Sequence, residues 1–241
     1  MNVVVTENYE EMSVAAANVI AEQLKAKPDS VLGLATGTTP IGLYAELVRA
    51  CDAGEISFAN AQSFNLDEYR GLPGTHDQSY RYFMQDNLFD HVDIDVEKTH
   101  VPDGSMEDAQ AACDAYEHAI AQAGGVDLQL LGLGHNGHIG FNEPCDSFPV
   151  TTHCVELTES TIQANSRLFD SADEVPREAY TMGIGTIMKA RKILLVGNGA
   201  GKAEIVRDVL RGPVVPQVPA SILQLHPDVT VVLDKEAAAA L

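Results

Sequence analysis

Residues 31–51 read VLGLATGTTPIGLYAELVRAC. Val31–Ala35 carries no charge and has the length of a buried strand. Gly37 permits a tight turn, and Pro40 suits the first position of a helix running to Cys51. An uncharged strand followed at once by a helix points to a parallel sheet with both faces covered. The pattern repeats outward in both directions. Val3–Val5 is a β-branched run, and Met12–Leu24 places apolar residues at 12, 15, 16, 19, 20 and 24, on one helical face. Gln62–Leu66, Leu128–Leu133, Cys154–Leu157, Lys192–Val196 and Val229–Leu233 read as further strands. Tyr80–Leu88, Ala109–Ala123, Thr161–Phe169 and Lys202–Leu210 read as helices, the second stopped by Gly124 and Gly125. The expectation is an α/β fold: a single-domain three-layer sandwich over 1–241, its mainly parallel sheet covered by helices on both faces. No Pro- or Ser-rich linker and no internal repeat divides the chain.

Composition narrows the function. A hydrophobic share of 45% against 21% charged residues excludes a disordered tail protein. The chain has 35 acidic and 15 basic residues, a net charge of −20, which disfavours nucleic acid and anionic membranes as partners. The bases are unevenly spread: none lies between Lys98 and Arg167, and eight of the 15 lie from Arg167 to Arg211. That region is where an anion site is expected. Cys51, Cys113, Cys145 and Cys154 form no CxxC pair and read as free thiols of a reducing compartment. No apolar run reaches about 18 residues, and the N-terminus lacks the basic and apolar regions of a secretion signal. A cytoplasmic protein is expected. The histidines contain no HExxH, so no metal is signalled.

Ligands of open parallel sheets sit beyond the carboxyl ends of the strands, and four loops there carry chemistry. Ala35–Pro40 offers Thr36, Thr38 and Thr39 around Gly37 at a helix start, a natural anion site. Gly197–Ala203 offers backbone N–H groups and Lys202. A cation at a helix start opposes the dipole unless an anion sits between; Ala203 removes the hydroxyl of a Walker A loop. Phe64–Tyr69 ends a strand on Asp67 and Glu68, and a carboxylate on a fixed scaffold can serve as general base. Leu131–Pro144 is glycine-rich. Gly132, Gly134 and Gly137 fit GxGxxG, but no helix pattern follows, so a dinucleotide site is not supported. The loop instead groups His135, Asn136, His138, Asn142 and Glu143. An imidazole takes and gives a proton near neutrality, and Glu143 can fix the tautomer of His138 if the glycines let the chain fold back. His135 and Cys145 are read as structural.

FNLDEY at 64–69, GLGHNGHIGFNEP at 132–144, ANSR at 164–167 and LQLHP at 223–227, in that order, resemble the glucosamine-6-phosphate deaminase family. The resemblance runs from about Leu32 to Leu233. It implies that D-glucosamine 6-phosphate and water give D-fructose 6-phosphate and ammonia, with no metal or organic cofactor. It implies Asp67 as the base that moves a proton from C2 to C1. His138 opens the sugar ring, held by Glu143 and Asn136. Thr36, Gly37, Thr38, Thr39, Arg167 and Lys202 match the phosphate contacts, Arg167 on a mobile lid segment around 156–178.

Two departures modify this expectation. Asn136 stands where some members have Asp, so it can orient the histidine but adds no charge. Allosteric members use basic residues after Asn-Glu-Pro and a longer C-terminal tail. Cys145–Thr152 has no Lys or Arg, so a monomer or small homo-oligomer is expected rather than an allosteric hexamer. Two alternatives are weaker. A 6-phosphogluconolactonase would continue differently where Ile139 and Phe141–Pro144 stand, and a sugar-phosphate-sensing regulator would need a DNA-binding element and would have lost Asp67, His138 and Glu143.

Overall fold

The computed structural model describes residues 1–158, 162, 169 and 174–241. Its strands are β1 (Asn2–Thr6), β2 (Val31–Leu34), β3 (Gln62–Asn65), β4 (Asp67–Tyr69), β5 (Thr99–His100), β6 (Leu128–Leu131), β7 (His153–Glu156), β8 (Glu178–Thr181), β9 (Lys192–Gly197) and β10 (Val229–Asp234). Among the described residues the α-helices are α1 (Tyr9–Ala26), α2 (Ile41–Asp52), α3 (Tyr80–Asn87), α4 (Ala109–Gln122), α5 (Ile184–Met188) and α6 (Ala203–Arg211). Seven strands form a parallel sheet in the order β1-β10-β9-β6-β2-β3-β5. Helices flank it, as the sequence pattern requires. A second, antiparallel sheet has the order β4-β8-β7.

The strands at the middle of the large sheet are uncharged because both their faces are covered. Every residue of β2 and β6 is buried. Gly33 pairs with Phe64 on one side and Gln129 on the other, and a side chain at Gly33 would strike that of Gln129 at 2.0 Å. Helix α1 starts at Asn8, whose side chain accepts from Glu11 N at 2.9 Å. It buries Met12, Ala16, Ile20 and Leu24 against α2, β9 and β10. The three larger of these side chains each contribute ~1.5–3 kcal/mol of burial. At the opposite end of the sheet from the loops of interest, buried Asp127 accepts from Val31 N at 2.8 Å and Lys27 Nζ at 2.6 Å. It also pairs with Arg191 Nη1 at 3.1 Å, tying β2, β6 and β9 together.

Most boundaries agree with the sequence to within two residues. Pro40 caps α2 rather than opening it. Strand β6 ends at Leu131, two residues early, where the glycines begin. Lys202 closes a 3-10 turn over Ala200–Lys202, and the helix follows at Ala203. The short strands β4, β5 and β8 were not legible. The helix expected over Thr161–Phe169 lies outside the described residues, Ile162 and Phe169 excepted.

Candidate active site

Four strand ends, those of β9, β6, β2 and β3, lie side by side in the sheet. The loops that follow them line one cleft of about 620 Å³. Thr36–Pro40 comes from β2, Asp67 from beyond β3, Gly132–His135, His138 and Gly140 from beyond β6, and Lys202 from beyond β9. Helix α3 supplies a further wall with Tyr80, Tyr82, Phe83, Asp86 and Asn87.

The two adjacent acids of the β3 end have different fates. Glu68 is buried and its carboxylate accepts three backbone N–H groups, from Tyr69 (2.8 Å), Tyr80 (2.9 Å) and Arg81 (3.0 Å). Tyr80 and Arg81 open α3, so Glu68 fixes that helix start and takes the favourable place for a negative charge. Burial raises the Glu68 carboxyl, and the three donors oppose the rise. Asp67 points into the cleft and is 7% exposed. Burial, and secondarily the charge of Glu68, pushes the Asp67 carboxyl up to about 8. A carboxyl so raised is a far stronger base than one in water.

The histidine loop folds back as the glycines suggest. Gly134 N donates to His138 O at 2.9 Å and Gly137 N to Gly134 O at 3.1 Å, closing a small turn. His138 Nδ1 lies 3.1 Å from Glu143 Oε1, but its ring N–H is not aimed at that oxygen well enough for a hydrogen bond. The contact is one of proximity. Asn136 Nδ2 donates to the other oxygen, Oε2, at 2.5 Å, and Asn136 Oδ1 accepts from His138 N at 3.2 Å. Asn136 and Glu143 thus stand behind the imidazole rather than in the cleft.

One residue of the small sheet joins this loop to the acid. Asp67 pairs across the antiparallel ladder with Thr181. Thr181 Oγ1 accepts from Phe141 N at 3.0 Å. Asn142 Nδ2 adds bonds to Ile139 O and Met182 O, both at 2.8 Å. Gly140, at φ +58°, packs so closely that a Cβ would lie 2.7 Å from Thr181 Oγ1 and 3.5 Å from Asp67 Oδ2. No L side chain fits there without strain.

The remaining two loops meet on the far side. Thr39 Oγ1 donates to Asn198 Oδ1 at 2.8 Å, bridging the ends of β2 and β9. Tyr9 braces the same loop: its hydroxyl donates to Thr39 O at 3.1 Å and accepts from Gly42 N at 2.9 Å. Gly37 sits at φ +104°. Lys202 Nζ donates to Leu133 O at 2.7 Å, and burial lowers its ammonium to about 8. Lysine, threonine hydroxyls and a helix start converge there, a donor set suited to a phosphate.

The structure therefore gathers Thr36, Gly37, Thr38, Thr39, Asp67, His138 and Lys202 in one cleft, with Asn136 and Glu143 immediately behind. Arg167 lies outside the described residues, as does most of the segment 156–178. Sequence reasoning missed Thr181, Asn198, Tyr9 and the structural use of Glu68. Asn198 stands inside a glycine-rich loop that the sequence marks, but its contact with Thr39 crosses 159 positions. Among the described residues no group of three His, Cys, Asp or Glu is arranged to hold a metal ion. Nor is any described helix long and apolar enough to cross a membrane.

Comparison with known proteins identifies the family. The family described as glucosamine-6-phosphate isomerases/6-phosphogluconolactonase matches residues 6–232. A glucosamine-6-phosphate deaminase of Thermoanaerobacter pseudethanolicus is 55% identical over 238 residues, 99% of this chain and 94% of the relative. A solved monomeric glucosamine-6-phosphate deaminase superposes with a TM-score of 0.96 at 48% identity, covering 100% of both chains. The 6-phosphogluconolactonase of Trypanosoma brucei, at 22% identity and a TM-score of 0.77 over 100% of this chain and 98% of its own, shares the fold. The chain belongs to the glucosamine-6-phosphate deaminase branch of the glucosamine-6-phosphate isomerase/6-phosphogluconolactonase family.

Proposed function

We infer that this chain couples an aldose–ketose isomerisation to deamination, turning D-glucosamine 6-phosphate and water into D-fructose 6-phosphate and ammonia. The observation that carries this reading is a buried carboxyl, Asp67, sharing one cleft with the imidazole of His138 while Lys202 and the threonine loop line the same space. Its support in sequence is the 55% identity to a deaminase over nearly the whole chain.

The residues divide the work as follows. Thr36, Gly37, Thr38, Thr39, Lys202 and Arg167 bind the phosphate. His138 moves the O1 proton to O5 as the C1–O5 bond breaks, giving the open-chain aldehyde, and Glu143 favours the imidazolium passed through. Asp67 then takes the C2 proton. The electron pair forms C1=C2, and O1 takes a proton from the C2 ammonium, leaving an enolamine. Asp67 returns its proton to C1, which leaves C2 as an iminium. Water adds at C2 and passes a proton to the nitrogen; the C–N bond breaks as the hydroxyl becomes C2=O, and ammonia departs with the hydroxyl's proton as ammonium. Two adjacent carbons share one base, so the base must be fixed, and the Asp67–Thr181 ladder pair does that. No step calls for redox chemistry.

The chain acts as a monomer with hyperbolic saturation, unaffected by N-acetylglucosamine 6-phosphate. A monomeric relative and the lack of bases in Cys145–Thr152 support this. Purified protein supplied with glucosamine 6-phosphate is expected to release ammonia and fructose 6-phosphate, and to leave 6-phosphogluconolactone unopened. Lactone opening without ammonia release would overturn the reading.

A further inference from the structure

We propose that His135 is an additional phosphate-binding residue, which donates to the substrate's phosphate beside Lys202. The proposal rests on the reading of the Lys202 side of the cleft as the phosphate end.

Three observations point to it. First, His135 lines the cleft together with Thr36–Thr39 and Lys202. Second, its ring lies alongside the loop that follows β9. A Cβ built on Gly201, the residue before Lys202, would sit 3.7 Å from His135 Cε1 and 3.9 Å from Nδ1. The order β9-β6-β2-β3 explains this position. The loop after β6 lies next to the β9 loop on one side, where His135 meets Gly201. On the other side its Gly140 meets Asp67. The two histidines therefore divide between the two ends: His138 folds over Gly134, whereas His135 sits at the exposed tip of the turn closed by Gly134 N and His138 O. Third, His135 is exposed, and among the described residues neither of its ring nitrogens has a hydrogen-bond partner. A phosphate has more acceptor sites than Lys202 and the threonine hydroxyls fill. An imidazole supplies a donor in either protonation state.

The cleft also holds the carboxyls of Asp67, Asp77 and Asp86, in a chain of net charge −20. Local donors must bind an anion against that field, and His135 is one more of them.

The test compares wild type, His135→Ala and His135→Gln. Two quantities are read: steady-state kinetics with glucosamine 6-phosphate, and the Kd of inorganic phosphate by calorimetry. His135→Ala is expected to raise KM and the phosphate Kd together by about three- to tenfold, the worth of one hydrogen bond, with kcat within about twofold. His135→Gln, which keeps an N–H donor, is expected to recover part of the loss. A residue of merely structural role would move Tm and not the phosphate Kd. Unchanged KM and phosphate Kd would overturn the proposal. So would a fall in kcat alone, which would assign His135 to the support of His138. The phosphate arm needs no turnover: a wild type that releases no ammonia refutes the activity, while the difference in Kd still judges His135.

Discussion

The imidazole of His138 occupies the space in which a side chain at residue 134 would lie: a Cβ on Gly134 would fall 2.3 Å from both Cδ2 and Nε2 of the ring. The histidine rests on bare backbone, and its reach into the cleft depends on that glycine. Gly134→Ala therefore pushes the ring outward. The substitution should lower kcat about a hundredfold, as a misplacement of about an ångström does, with a small change in Tm. Initial rates and a melting curve check this, and an unchanged kcat would remove Gly134 as the seat of the ring.

Asp67 couples activity and stability to pH in opposite senses. In its proposed role as base it must be ionised, so kcat/KM should rise as pH climbs towards about 8. Binding an amino sugar brings a cation to the cleft and favours the ionised form. The acidic limb of kcat should therefore lie below that of kcat/KM. Stability runs the other way. The folded carboxyl is raised above its unfolded value of about 3.9, so the folded state holds the proton more tightly between these limits. That contribution is complete below about 4 and lost as pH rises through about 8. Asp67→Asn should abolish turnover and yet melt higher than wild type at pH above about 8, with about 2–4 °C for each kcal/mol relieved. The gap should close towards pH about 4. A variant that melts lower at alkaline pH would contradict the buried setting of Asp67.

Lys202 sets the alkaline side. In its proposed role as phosphate ligand the ammonium, lowered to about 8, must be charged, so kcat/KM should fall above that pH and trace a narrow bell. Lys202→Met should raise KM at least tenfold, the worth of one charge-assisted hydrogen bond. The folded lysine resists protonation, so the folded state is penalised progressively as pH falls from the unfolded value near 10.4, and the penalty is complete below about 8. The methionine variant should then melt higher than wild type at pH 7, unless loss of the bond to Leu133 O offsets the gain. A parallel pH series of Tm for both proteins separates the two contributions.

Asn198→Ala cuts the bridge from β9 to Thr39. One neutral hydrogen bond contributes about 0.5–1.5 kcal/mol. KM should rise about two- to tenfold with little change in kcat, because Tyr9 still braces the loop from the other side. If kcat fell instead, the bridge would matter to the reacting carbons and not to the anion.

Legibility in the sequence followed covering. Strands β2, β6, β9 and β10 are buried by layers on both faces, and their uncharged runs announce them. The loops beyond them were legible because polar residues crowd after apolar ones. Strand β4 was hidden because its three residues, Asp67, Glu68 and Tyr69, break every pattern used to find strands: two are acids, and all are buried. Their burial is tertiary. Glu68 is held by the start of α3, twelve residues on, and Asp67 is enclosed by its ladder pairing with Thr181. The bonds from Thr39 to Asn198 and from Phe141 to Thr181 join distant segments, and no local periodicity encodes them. Asn136 and Glu143 lie beside His138, as their places in one glycine-rich loop allow, and the approach to Glu143 is looser than a triad would require.

Thr181 serves both the strand that carries Asp67 and the turn that carries His138, while the threonine and lysine loops hang from the large sheet alone. The turn after β6 is common to both groups: its Leu133 O accepts from Lys202 and its Phe141 N donates to Thr181. A protein engineer redirecting this chassis towards another phosphorylated sugar can redraw the three short antiparallel strands only as far as the β6 turn they share with Lys202 stays in place.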